Sequence, residues 1–286
     1  MGFTPEERAK CRLVCTPIGN LSDMTQRALS ALKEADIIFA EDTRTAAALL
    51  NHFAIRKPVK PYHKDNEPDA VKAVLRELAS GRGIVLISEA GMPGISDPGG
   101  LLVCALLENN IPFEIVPGVN AAVLAAVASG LCKEGKFFFA GFIPHKGAEK
   151  TVQLFASIPY PIIFYESPHR VRESLKLLLK FFPPPVAVCR ELTKIHEEIV
   201  YVSTTEDIDK LTVKGEFCLV VDNGGAGTQE DTGNINIKAD ALAGILAENS
   251  VSAKNIAYVL KKCGIKRNIA YLTAQFAVKN FLLHFR

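Results

Sequence analysis

A chain of 286 residues, 48% hydrophobic and 22% charged, is long enough for two or more packed domains and too apolar for widespread disorder. Its formal net charge of +2 neither demands nor excludes a polyanionic partner, and its seven cysteines show no CxxC spacing and no paired histidines, which argues against a disulfide framework or a metal site and for a reducing compartment. The first ten residues are polar and no window reaches the length of a bilayer span, so a soluble, cytoplasmic protein without membrane contact is expected.

Arg12 to Thr16 reads as a first strand, running into Pro17-Ile18-Gly19-Asn20-Leu21, after which Ser22 or Asp23 caps a helix to about Lys33. Asp36 to Ala40 is a second strand, with Glu41-Asp42-Thr43-Arg44 at its end and a helix over 43–53. A third strand, 59–62, and a third helix, 67–79, follow. Gly83 to Ile87 is an apolar fourth strand that breaks into a loop holding Gly91, Gly94, Gly99 and Gly100 with Pro93 and Pro98. A helix starts at Leu101, and a fifth strand, Phe113 to Val116, ends in Pro117-Gly118-Val119-Asn120 before a helix over 121–129. Alternation of this kind predicts an α/β fold with a mostly parallel sheet covered on both faces. The loops after the first, fourth and fifth strands then share the carboxyl edge, where open α/β sheets hold ligands.

The glycine-rich loop has neither the GK[ST] of a Walker loop nor GxGxxG, and its only charges are Glu89 and Asp97. Two carboxylates repel phosphate and suit a neutral or cationic ligand. A second α/β unit is expected next: strands over 136–140, 161–165, 186–189, 196–203 and 216–222, helices over 149–158 and, capped by Ser167 with Pro168 at its first position, to about Phe181. Residues 223–236 read as a polar, glycine-rich linker. Three short helices, 239–248, 252–263 and 266–279, resemble a helix-turn-helix module. From Asn249 to Arg286 the chain has five lysines, two arginines and no acidic residue, a local excess that favours nucleic acid.

The segments TPIGNLSDMTQRAL, AEDTR, SEAGMPGISDPG, FYESPHR, RELTK and KGEF, in that order, resemble the ribosomal RNA small subunit methyltransferase I family, within the tetrapyrrole-methylase-like class of S-adenosylmethionine-dependent methyltransferases. The resemblance spans roughly residues 11–222. It implies 2′-O-methylation of a cytidine ribose in the decoding region of 16S ribosomal RNA, a homodimer, and two α/β domains (1–117 and 118–222) with the S-adenosylmethionine cleft between them. Residues 237–286 would be the helical RNA-binding tail. Departures from the family pattern are Glu89 for Asp, Met92 for Thr, Val119-Asn120 for Ala-Ser, and His145 for Arg.

Cofactor contacts are expected from Pro17, Gly19, Met92, Ile95, Asn120, Ala121, Tyr165, Gly215 and Glu216. Transfer to a ribose hydroxyl needs orientation and a proton acceptor. Lys194, its pKa depressed by burial, is the first candidate base and Glu166 the second, with Glu41 and Arg44 also at strand ends facing the cleft. His145, Lys146, Lys261, Lys262, Lys266 and Arg267 are the candidate RNA contacts, and the transfer needs no metal. A same-fold enzyme acting on a tetrapyrrole precursor or other small molecule, or a non-catalytic cofactor sensor that binds RNA, are the alternatives. Deleting residues 237–286 is expected to weaken binding to small ribosomal subunits and flatten its salt dependence. Filter binding across a salt series checks this, and unchanged binding would count against the RNA-binding tail.

Overall fold

The computed structural model describes residues 10–223 and 252–262. The chain divides into two compact units, Met1–Ala226 and Gly227–Arg286. The first unit holds two five-stranded sheets.

The first sheet is built from β1 (Cys11–Val14), β2 (Ile37–Ala40), β3 (Val59–Pro61), β4 (Ile84–Ile87) and β5 (Phe113–Val116), in the order β3-β2-β4-β1-β5 and parallel throughout. Its central strands β1, β2 and β4 are buried on both faces, the edge strands β3 and β5 less so, and each face has its own core. Val14, Ile38, Val85 and Ile87 pack with Ala28 and Leu32 of α1 (Gln26–Glu34) and Leu50 of α2 (Thr43–His52). Leu13, Phe39, Ile84 and Leu86 pack with Val74 of α3 (Glu67–Ala79) and Leu102 of α4 (Gly100–Glu108). Alternate side chains of one strand thus feed opposite layers.

The second sheet comprises β6 (Phe138–Phe142), β7 (Ile162–Glu166), β8 (Val186–Arg190), β9 (Glu198–Val202) and β10 (Phe217–Val221), ordered β6-β7-β10-β8-β9. Only β6 and β7 are parallel; β10 runs against β7 and β8, and β9 against β8. Its outer face carries α6 (Ala148–Phe155), α7 (Val171–Phe181) and α8 (Thr205–Lys210) over Phe164, Val188 and Leu219. Its inner face is covered by α5 (Ala121–Ala128), whose Ala122, Ala125 and Ala126 lie on Ile163, Ala187, Cys189 and Cys218. Small residues on both sides bring this helix close to the sheet.

Several local expectations shift. Ser22 and Asp23 do not cap α1; they lie in a 3-10 turn, Leu21–Asp23, where the Asn20 side chain accepts from Ser22 N–H, and Thr25 caps α1 instead. Ser167-Pro168 does not open α7. The Ser167 carbonyl accepts from both Arg170 and Val171, closing a turn first, so the helix starts at Val171. The strand expected over 136–140 runs 138–142, taking in Gly141 and Phe142. Helix α8 was not expected, although its capping box, Thr204 with Asp207, is a local signal.

The second unit is described through α9 (Ala253–Lys262), which matches the expected 252–263 helix and buries Ile256, Ala257 and Leu260. The helices expected over 239–248 and 266–279, most of the 223–236 linker, and Lys266 and Arg267 lie outside the described residues; Lys261 and Lys262 close α9. Among the described residues no helix is long and apolar enough to cross a membrane.

Candidate functional site

The loops at the carboxyl ends of β1, β4 and β5 meet. Thr16 N–H donates to the Gly91 carbonyl at 2.9 Å and Gly91 N–H donates back at 3.0 Å. Cys15 Sγ donates to the Val119 carbonyl at 3.1 Å, and the Asn120 side chain caps α5 by accepting from Val123 N–H at 3.2 Å. The second sheet closes on this edge through Tyr165, whose hydroxyl oxygen accepts Ala122 N–H at 3.2 Å. Between the two sheets lies a cavity of about 370 Å³, in the range of small-molecule sites.

Its lining mixes apolar residues, among them Ile18, Met92, Leu192 and Phe217, with the carboxylates Glu89, Asp97, Glu166 and Glu216, and among the described residues includes no lysine or arginine. Among these carboxylates Asp97 is displaced from its ordinary acidity. Burial, reinforced by repulsion from Glu41 and Glu89, pushes the Asp97 carboxyl up to about 6 against a Ser88 hydroxyl that favours its charge. Glu41 is raised as well, by burial first and Glu89 second, with His63 opposing. Burial pushes the Tyr165 phenol up to about 12, and it pushes up the thiols of Cys189, to about 12, and Cys218, both on the cavity wall. Such displaced acidities mark a site where charge has been arranged.

Of the residues expected to hold a cofactor, Met92, Ile95, Asn120, Ala121, Tyr165 and Glu216 line the cavity. Pro17, Gly19 and Gly215 do not. Gly19 is needed for close packing: a Cβ there would collide with Lys194 Cγ and come within 3.0 Å of Thr193 Oγ1. Gly215, at φ +97°, lies against the Glu191 carboxyl, which leaves no room for a side chain.

The candidate bases fare differently from expectation. Lys194 Nζ is held between Glu191 at 2.8 Å and Glu216 at 3.0 Å. Burial pulls its pKa down, but the two carboxylates more than offset that, so the pKa is raised, not depressed. Lys194 therefore stays protonated, and it reaches the cavity only through Glu216. Glu166 is on the wall, but its buried carboxylate accepts from the Ser174 hydroxyl and, at 2.7 Å, from Ser167 N–H, with Arg170 3.8 Å away. It is occupied as the anchor of the strand end. Glu41 does not line the cavity, but its charge helps raise the Asp97 carboxyl. Arg44 is exposed and pairs with Asp42 at 3.0 Å, and Asp42 caps α2, so this pair belongs to the helix start rather than to the cavity.

His145 and Lys146 are exposed, as a contact with RNA requires. Arg170 fixes their loop by donating to the carbonyls of Ile143 at 2.7 Å and Pro144 at 3.3 Å. Sequence reasoning passed over Asp97 as a site residue, although it was one of only two charges in the loop. It also missed Leu192 inside RELTK, Phe142, and the Cys189–Cys218 pair, which face each other across β8 and β10. Among the described residues no group of three or more His, Cys, Asp or Glu is arranged to hold a metal.

Residues 10–209 match the family model described as Tetrapyrrole (Corrin/Porphyrin) Methylases. The chain is 44% identical over 226 residues to ribosomal RNA small subunit methyltransferase I of Halalkalibacterium halodurans, covering 77% of this chain and 78% of that one. It is 41% identical over 216 residues to the protein of that name from Bacillus subtilis, covering 73% and 74%. Among solved structures it is similar to the methyltransferase CobJ, with a TM-score of 0.58, 22% identity and coverage of 75% and 94%. A uroporphyrin-III C-methyltransferase from Thermus thermophilus complexed with S-adenyl homocysteine gives a TM-score of 0.54 at 21% identity, covering 74% and 97%. At these identities the two structures bear on the fold alone.

The raised Asp97 pKa makes stability depend on pH in a definite direction. The native state holds a proton between the ordinary value of 3.8 and about 6 that the unfolded chain releases. This group's contribution to stability therefore falls as pH rises through that window. Asp97→Asn is expected to melt at a higher temperature than the wild type at pH 7–8, with the gain vanishing toward pH 4. Thermal unfolding across a pH series measures it.

Proposed function

We propose, on the premise that this chain belongs to the tetrapyrrole (corrin/porphyrin) methylase family and within it to the ribosomal RNA small subunit methyltransferase I branch, that it transfers a methyl group from S-adenosylmethionine to a cytidine 2′-hydroxyl of 16S ribosomal RNA. The observation that carries the reading is the charge of the cavity: among the described residues no lysine or arginine lines it, and of its four carboxylates Glu166 and Glu216 have cationic partners outside the lining while Glu89 and Asp97 face it from the glycine-rich loop. That lining fits a ligand with a positive sulfur and repels a free phosphate or nucleotide tail. When bound, the cofactor supplies a methyl group on a sulfonium.

In this reading the two sheets are the two methylase domains, 1–117 and 118–222; Met92 and Ile95 hold the cofactor from one side, with Asn120 and Ala121 at the junction. Tyr165, kept protonated by burial, holds it from the other. The chain must also orient the ribose hydroxyl and take its proton. Lys194 is protonated and Glu166 is occupied, so we assign the proton to Asp97, which lines the cavity with its pKa displaced toward neutrality. The ion pairs of Lys194 with Glu191 and Glu216 hold the RELTK turn against Gly19 of the first loop. A homodimer and a cytoplasmic setting complete the reading; the exposed Val123 and Val127, one turn apart on α5, favour a second copy.

Labelled S-adenosylmethionine incubated with purified, unmodified small ribosomal subunits is expected to yield 2′-O-methylcytidine, identified by nucleoside mass. Cofactor binding with no transfer to RNA would move the protein to a small-molecule acceptor or a sensor. Asp97→Asn is expected to lower the transfer rate by about 10²-fold or more, the range of a lost general base. Affinity for S-adenosylmethionine is expected to fall, relative to that for its uncharged-sulfur product, as pH drops below about 6 and Asp97 takes up its proton. Calorimetric titrations of both ligands across pH measure the difference.

A further inference from the structure

Strand β6 carries an irregularity that aims one ring at the mouth of the cavity. Phe138 and Phe139 pair with Ile162 and Ile163 of β7, but the next pairs are Gly141 with Phe164 and Phe142 with Tyr165, so Ala140 is an extra residue. In a regular strand residues 139 and 142 face opposite sides. The bulge, with Gly141 at φ +67°, returns Phe142 to the side of Phe139. Both rings meet Tyr165 edge-on, Phe139 at 4.8 Å and Phe142 at 5.7 Å between centroids. Phe139 is half-buried there, whereas Phe142 lines the cavity and is 55% exposed.

Phe142 is not alone in this, since Ile95 is also exposed and also lines the cavity. Phe142 runs straight into Ile143-Pro144-His145-Lys146, in which Ile143 is buried and His145 and Lys146 are exposed and basic. The Arg170 bonds to Ile143 and Pro144 fix the backbone between ring and charges. The exposed Ile95 is a second apolar side chain of the same lining. A rigid aromatic face beside a lysine on one short segment is how proteins hold an unpaired nucleotide, by stacking its base and meeting its phosphate.

We propose that Phe142 is the platform on which a base of the RNA acceptor stacks, at or next to the target nucleotide, so that the ribose is presented to the cavity. The proposal rests on the RNA methyl-transfer reading and adds that the acceptor nucleotide enters unpaired, between Phe142 and Ile95. Loss of one base stack weakens binding by about 5- to 150-fold.

The test uses the full-length protein with unmodified small ribosomal subunits, labelled S-adenosylmethionine, and the variants Phe142→Ala, Phe142→Leu and Phe142→Tyr. The alanine and leucine variants are expected to lose about 10- to 100-fold in kcat/KM for the subunits, mostly through KM, while tyrosine stays within about threefold of wild type. Affinity for S-adenosylhomocysteine, read by calorimetry, is expected to fall by a much smaller factor than the rise in KM for the subunits, because Phe142 borders the cofactor cavity at its exposed edge. Leucine keeps the apolar bulk without the ring, so it decides the matter if alanine unfolds the rim. Wild-type kcat/KM in the leucine variant, or an equal loss of S-adenosylhomocysteine affinity, would overturn the proposal. No RNA transfer by the wild type would instead remove the reading beneath it.

Discussion

Thr16 and Gly91 exchange both of their backbone hydrogen bonds, and the cavity is built around that exchange. Strands β1 and β4 are neighbours in a parallel sheet, so their carboxyl ends point the same way, but parallel pairing alone leaves the loops beyond them free to splay. The isolated bridge continues the contact past the end of the sheet, and the Cys15–Val119 bond draws in the loop after β5. Three segments distant in sequence become one wall. The second sheet meets that wall through Tyr165 and α5, where alanines and cysteines permit close approach.

Charge is distributed unevenly about this wall. Lys194 satisfies Glu191 and Glu216, and Arg170 faces Glu166, so carboxylates on the second sheet have cationic partners. Glu41 and Asp97 are instead raised in proton affinity, by burial and by the nearby charge of Glu89, and Glu41 adds to the effect on Asp97. A protein selected for stability alone would not gather them, and such unfavourable groupings persist where binding or chemistry requires them. The turn carrying Lys194 shows a related cost: Glu191 and Thr193 hold φ at +52° and +68°, conformations that ordinary side chains seldom adopt. Ion pairing across the turn keeps that geometry in place.

What could be read from the sequence follows from which forces are local. Strand β5, helix α3 and the apolar runs of β2 and β4 were legible because period and punctuation report burial directly. The glycine-rich loop was legible as a ligand wall because it follows a buried strand and carries only two charges, both acidic. The helix starts at Thr25 and Val171 were not, since a 3-10 turn and a Ser167-centred turn compete with the nearer cap signals. The pKa of Lys194 was misjudged because burial could be guessed from RELTK, whereas its second carboxylate, Glu216, arrives from a strand 22 residues away. Gly19 and Gly215 lie off the cavity lining and pack against the side chains of Lys194 and Glu191, contacts that no local pattern announces. Phe142 was hidden for a simpler reason: no alternation rule anticipates an inserted residue.

Cys189 and Cys218 stand on the wall of a chamber read as holding an electrophilic methyl group, and sulfur is the most methyl-seeking atom in a protein. Only the thiolate is a good nucleophile. With burial holding the Cys189 thiol at about 12, roughly one part in 10⁵ of it is ionised at neutral pH, and Cys218 is held higher still. The apolar packing of α5 against β8 and β10 thereby gives the protein chemical immunity to its own reagent.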